Sequence, residues 1–208
     1  NENEAREHFE SVKVDIQQIK TSEDVVLSSV GHDLCELFFR GYTKKQWGMD
    51  LSDLSAGVAA RIPTRTNDDT RYFTDTYQLM PLEGYTELFK RMLDHPNIQL
   101  RLGEDYFKIK DNVDVNHTIY TGKVDQYFDY KYGQLPYRSL KFKHEHLRNK
   151  GHIQAVGTVN YPNEEDFTRI TEFKHLTGQE HESTSTVKEF PCSEGDPFYP
   201  IPRQENWD

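Results

Sequence analysis

The stretch that decides the fold runs from Val25 to Gly48 and reads VVLSSVGHDLCELFFRGYTKKQWG. Val26, Val30, Leu34, Leu37 and Phe38 recur at spacings of four or three, the apolar stripe of an amphipathic helix. Just upstream, Thr21-Ser22-Glu23-Asp24 has the form of a capping box and predicts the helix start. Gly41 weakens the pattern near its end. Working outward, Glu2 to Ile19 carries a weakly amphipathic helical pattern. Ser52 or Asp53 is placed to cap a third helix bearing Leu54, Val58 and Ile62, stopped by Pro63. Residues 64–76 are polar and aperiodic, a loop with the length of a lid or binding loop. A fourth helix is expected from about Tyr85 to Asp94, ended by His95-Pro96-Asn97.

The second half changes period. Ile98, Leu100 and Leu102 alternate, as do Leu135 and Tyr137 and then Phe167, Arg169, Thr171 and Phe173. Short β-rich runs from His117 to Phe190, broken by Gly122, Gly133, Gly151, Pro162 and Gly178, predict a sizeable and mostly antiparallel sheet. Four prolines between Pro191 and Pro202 make the last stretch extended or irregular. The expected class is therefore α+β, helices first and sheet second.

Composition narrows the functions. The chain has 208 residues, a formal net charge of −10, and twelve each of Tyr and Phe, enough to bury a real core. The acidic balance disfavours nucleic acid as a partner, which needs a basic surface. No apolar run approaches a spanning helix, so no membrane role is expected. Residues 1–10 do not read as a signal peptide, and Cys35 and Cys192 are too few for a disulfide framework. A cytoplasmic home is expected. The chain begins at Asn1, which suggests a piece of something longer.

The densest polar and aromatic cluster is Phe38 to Gly48. Flat rings with polar handles suit stacking on a planar ligand or covering a sugar face. Packing of the same rings under a loop is the plainer alternative. Arg61, Arg65, Arg71 and Arg169 are the candidates for an anion site in an acidic chain, against the ordinary fate of surface ion pairs. His144-Glu145-His146 would put two imidazoles on one strand face, half of a metal site or simply a solvated face; no metal is expected. No two of the twelve glycines lie two apart, so G-x-G-x-x-G is absent, and so is a Walker loop.

The run FFRGYTKKQWGM, residues 38–49, resembles the bacterial UDP-galactopyranose mutase family. The resemblance continues through Arg61-Ile62-Pro63, Arg71-Tyr72-Phe73, Met80-Pro81, Tyr137-Arg138-Ser139-Leu140, Asn160-Tyr161 and Thr168-Arg169-Ile170-Thr171-Glu172. It then takes in Lys188-Glu189 and Phe198-Tyr199-Pro200-Ile201, and reaches Arg203. It implies an isomerase that interconverts UDP-galactopyranose and UDP-galactofuranose on reduced FAD through a flavin N5–sugar adduct, for cell-surface polysaccharide synthesis. It implies a homodimer as well.

Residue by residue, the resemblance makes Tyr42 the ring on uracil, with Phe38 and Thr43 in the same pocket, and Trp47 the indole beside sugar and flavin. It makes Arg61 the lid arginine and Arg169 the second diphosphate arginine. Tyr72 and Tyr199 become hydroxyl donors to phosphate, with Asn160 and Glu189 near the reaction. The resemblance divides the chain into a helical substrate-binding domain, 1–96, with a lid loop around 61–76, and a sheet domain, 97–208. The latter includes a remnant of the flavin domain at about 97–130. Segments that hold flavin in the family have no counterpart before Asn1 or after Trp207 here, so cofactor-binding residues stay unassigned. The expectation is an internal fragment, inactive alone, binding UDP weakly and FAD weakly or not at all. The alternatives are a non-catalytic UDP-sugar-binding module and an interaction domain whose aromatics are core.

Overall fold

A computed structural model describes residues 1–69 and 71–202; Arg203 and Trp207 lie outside the described residues. The chain forms two compact units, Asn1–Thr76 with Leu135 onward, and Tyr77–Gln134. The architecture is α+β with an antiparallel five-stranded sheet.

The first unit begins with α1 (Glu2–Val12), capped by Asn1, and α2 (Ser22–Leu34), which is broken at Gly31, where φ is 76° and ψ −175°. Helix α1 stops well short of Ile19. Beyond Val12 the burial alternates through Val14 and Ile16, and the Val14 N–H bonds the Leu27 carbonyl. The expected capping box starts α2: Thr21 Oγ1 accepts from the Asp24 N–H, and Asp24 Oδ2 accepts from the Thr21 N–H. These backbone donors at Lys20 and Thr21 hold the Asp24 carboxyl below its ordinary value.

After α2 the chain takes a π-helical turn, Cys35–Arg40, and then α3, Gly41–Trp47. The apolar stripe read from the sequence is interrupted first at Gly31 and again at this turn. The break at Gly31 and the five-residue hydrogen bonding after it take the side chains out of one α-helical phase; Leu37 and Phe38 are 52% and 56% exposed while Phe39 packs on the core. Nor does Gly41 end the helix. It opens α3, and a Cβ there would overlap the Pro162 carbonyl and the Asn163 side chain. The third expected helix is two pieces, a 3-10 turn Leu51–Asp53 and α4, Gly57–Ala60. Val26, Val30, Cys35, Leu51 and Ala59 form the core of this helical layer, with Phe9, Val25, Leu27, Leu34 and Phe39 against it.

The second unit holds α5 (Gly84–Leu93), α6 (Tyr106–Ile109) and α7 (Val124–Tyr127). Its aromatic contacts centre on Tyr106, Phe107, Tyr120 and Tyr127. Alternation at Ile98, Leu100 and Leu102 yields no strand: they are exposed, without a neighbouring strand to turn the period into a ladder.

The first strand is β1 (Tyr137–Leu147), not a run near His117. It is followed by β2 (Thr158–Asn160), β3 (Arg169–Glu172), a short helix α8 (Phe173–Thr177), β4 (Thr184–Cys192) and β5 (Tyr199–Pro200). Spatial order is β2-β3-β4-β1-β5, every pair antiparallel. Among the described residues no helix is long and apolar enough to cross a membrane.

Two cations fasten α3 to the sheet. Lys45 Nζ donates to the carbonyls of Tyr161, Glu165 (2.9 Å) and Phe167 (3.0 Å). Arg138, 6% exposed at the start of β1, donates to the carbonyls of Gln46 (3.0 Å) and Lys45 (3.2 Å) and to Ser193 Oγ (2.7 Å). Its guanidinium thus answers carbonyls at the α3 C-terminus, where the helix dipole also favours a cation.

Lys45→Met should lower unfolding free energy by about 2 kcal/mol in urea titration, since it strands three carbonyls. Lys44→Met, which loses only an exposed pair with Asp50, should stay within about 0.5 kcal/mol of wild type. For Asp24 the folded pKa is the lower one. Its stabilisation is therefore complete above the ordinary carboxylate range and lost as pH falls through it. The stability gap between wild type and Asp24→Asn should narrow as pH falls through the ordinary carboxylate range, read from thermal melts.

Candidate functional site

Helix α3, the α4 segment and the face of the sheet enclose a cavity of about 330 Å³. Its wall is built in steps of the α-helix: Phe39, Tyr42, Thr43, Gln46 and Trp47 lie on one side of the π turn and α3. Leu51, Val58, Ala59, Arg61 and Ile62 come from the segment around α4, and Arg169 and Tyr199 from β3 and β5. Thr43 and Gln46 are buried, whereas Tyr42, Trp47 and Tyr199 are half-buried.

Rings and cations divide the wall. Trp47 and Tyr199 meet edge to face with centroids 5.1 Å apart. Gln46 Nε2 donates to the Tyr199 hydroxyl, while Gln46 Oε1 is buried with no hydrogen-bond partner. A buried acceptor without a donor is costly unless something supplies one, and this one belongs to a cavity-lining side chain. Burial pushes the Tyr42 and Tyr199 phenols up, with Arg169 pulling the other way on both. Both rings are therefore neutral hydroxyl donors near pH 7.

Arg169 sits in a cross-strand row. It pairs with Asn160 of β2 on one side and Glu189 of β4 on the other. Arg169 Nε lies 3.1 Å from Glu189 Oε2, an ion pair without hydrogen-bond alignment. Glu189 thus steadies the guanidinium without occupying its fork. Of the four candidate arginines, only Arg61 and Arg169 reach the cavity. Arg65 is spent on the carbonyls of Asp69, Arg71 and Tyr72, and Arg71 on the Asp69 carboxylate.

Six of the residues singled out in sequence line the cavity: Tyr42, Thr43, Trp47, Arg61, Arg169 and Tyr199. Asn160 and Glu189 stand beside Arg169 in the sheet without lining it. Tyr72 is exposed and packs edge to face on Phe73, and Phe38 is exposed on the π turn. Sequence reasoning missed Phe39, whose phase the turn altered. It also passed over Gln46, whose i+4 spacing from Tyr42 was the available signal, and Arg138, which braces α3 from behind. His144 and His146 are exposed on β1, His146 bonded to Ser185.

A family model described as UDP-galactopyranose mutase matches residues 37–208. A Klebsiella pneumoniae protein named probable UDP-galactopyranose mutase is 39% identical over 191 residues, covering 89% of this chain and 49% of its own. A dTDP-fucopyranose mutase of Escherichia coli is 36% identical over 196 residues, with 89% and 52% covered. A UDP-galactopyranose mutase of Mycoplasma pneumoniae is 33% identical over 216 residues, with 94% and 54% covered. The chain spans about half the length of the curated relatives it matches. The matched region contains every residue of the cavity wall, and the chain belongs to the UDP-galactopyranose mutase family.

Proposed function

We propose that this chain is the nucleotide-sugar-binding part of a UDP-galactopyranose mutase, an isomerase serving cell-surface polysaccharide synthesis. The observation that carries the reading is the convergence of two guanidiniums and an aromatic wall on one cavity of about 330 Å³. A nucleoside diphosphate sugar presents a flat base, a dianionic diphosphate and a hydroxylated ring, and the wall offers a group for each.

Tyr42 stacks on the uracil, with Phe39 and Thr43 beside it and Phe38 at the rim. Arg61 and Arg169 neutralise the diphosphate, both as bound substrate and as leaving group. The Tyr199 and Tyr72 hydroxyls donate to phosphate oxygens. Trp47 covers the sugar, and the unpaired Gln46 Oε1 accepts from a ligand N–H or O–H. Glu189 and Asn160 hold Arg169 in its row. The 61–76 loop begins at Arg61 and carries Tyr72, so its closure would bring both to the ligand and exclude water.

The flavin of the family requires a phosphate cradle, and these 208 residues hold no G-x-G-x-x-G or Walker spacing. The residues present do not fit a flavin site. FAD is assigned to the whole protein, where in reduced form it supplies a nucleophile for the sugar. A cytoplasmic homodimer is the corresponding proposal for that protein.

Calorimetric titration should give one UDP per chain, weakened about tenfold or more by Arg169→Ala and by Arg61→Ala. Equal UDP affinity in wild type and Arg169→Ala would remove the diphosphate role. Tighter binding of dTDP than of UDP would move the reading toward dTDP-sugars. With chemically reduced FAD added, the 208-residue chain should show no turnover of UDP-galactofuranose; measurable conversion would overturn its assignment as a binding part.

A further inference from the structure

On the sheet's other landmark, the end of β3, two imidazoles flank one carboxylate. Glu172 is fully buried, yet no lysine or arginine pairs with it among the described residues. Its charge is met by the N–H groups of Ile153 (3.2 Å) and Gln154 (2.9 Å) and by the Thr184 hydroxyl. Its ion-pair partners are both histidines. His152 Nδ1 lies 3.5 Å from Oε1, and His175 Nε2 lies 3.6 Å from Oε2. The two rings approach to 4.3 Å between centroids, and one ligand atom from each of the three residues lies within 4.8 Å of the others.

These separations are long for charge-assisted hydrogen bonds, which run about 2.7–2.9 Å. They match instead the spacing of about 3.4 Å between neighbouring ligands on a tetrahedral ion with bonds of about 2.1 Å. We propose that His152, Glu172 and His175 form a binding site for a divalent transition metal, of which Zn²⁺ best suits two imidazoles and a carboxylate. Water completes the coordination. The histidine side chains are 46% and 25% exposed, so the ion has an entry path although the carboxylate does not face solvent.

The surrounding groups are those a metal site needs. The Ile153 and Gln154 N–H groups and the Thr184 hydroxyl orient the carboxylate from behind. Loading has one cost: His175 Nε2 also lies 3.0 Å from the Gln154 carbonyl oxygen and must release the proton it shares there. The ion would join three pieces of chain, the segment before β2, the end of β3, and α8. Its role is structural and independent of nucleotide binding.

The test is titration of the metal-free protein with ZnCl₂ alone against a chromophoric chelator, with CoCl₂ loading followed by visible absorption. One Zn²⁺ per chain is expected, with four-coordinate Co²⁺ bands in the loaded protein. His152→Ala and His175→Ala should each weaken Zn²⁺ binding about a hundredfold, and Thr184→Val about tenfold with the Co²⁺ bands retained. Circular dichroism of the exposed histidine variants keeps misfolding apart from ligand loss. A His144→Ala and His146→Ala double variant should bind as wild type does. Undiminished binding in a His152→Ala and His175→Ala double variant, loss in the His144 and His146 variant, or no stoichiometric Zn²⁺ would each overturn the site. None of these readouts involves UDP, so the nucleotide reading stands or falls separately.

Discussion

The attachment of one short helix to the sheet by two cations is the constraint on which the rest depends. Helix α3 has seven residues, far too few to hold its shape alone in water. Lys45 reaches three carbonyls of the 161–167 segment, and Arg138 reaches back to the last carbonyls of α3. Carbonyls that the helix and the loop leave unpaired are thereby satisfied together. Burial drives the Lys45 ammonium below lysine's ordinary value even with Glu164, Asp166 and Glu165 nearby, so that position is bought with desolvation. What the cations secure is orientation: Tyr42, Thr43, Gln46 and Trp47 face the sheet because Lys45, between them in sequence, is tied to it.

The electrostatics of the cavity follow from the same economy. A chain of net charge −10 must keep selected arginines from its own carboxylates if they are to meet an anion. Arg65 and Arg71 are consumed inside their loop. Arg40 is likewise held by Glu23 and Glu36. Arg61 and Arg169 are the guanidiniums that the fold brings to the cavity wall, and the Glu189 contact to Arg169 leaves the end of that side chain uncommitted.

Much of this was legible in the sequence because it rests on local chemistry. The box at Thr21 and Asp24 announces a helix start through side chains three apart, and the fold class followed from the change of period. The cavity's aromatic wall was visible as a crowded motif. What stayed hidden depends on contacts distant in sequence. Alternation at Ile98–Leu102 could not reveal that no strand would lie beside it. Nothing near Arg138 announces that its partners are 92 and 93 residues away. The phase of Phe38 and Phe39 was misread because hydrophobic spacing presumes a uniform helix, and this one is broken at Gly31 and changes pitch after Cys35.

That change of pitch has a further consequence. Ahead of Cys35 the helix answers to the packing of Val26 and Val30; beyond Arg40 it answers to the cavity. Two rulers of equal gauge laid end to end would force one set of requirements on the other. The wider turn, together with the break at Gly31 ahead of it, works as a phase adapter, letting each part keep its own register. Removing one residue there would swing everything beyond it by about 100°, carrying Tyr42 and Trp47 off the wall while leaving the composition of the helix almost unchanged. Length between Cys35 and Arg40 is thus under tighter constraint than residue identity.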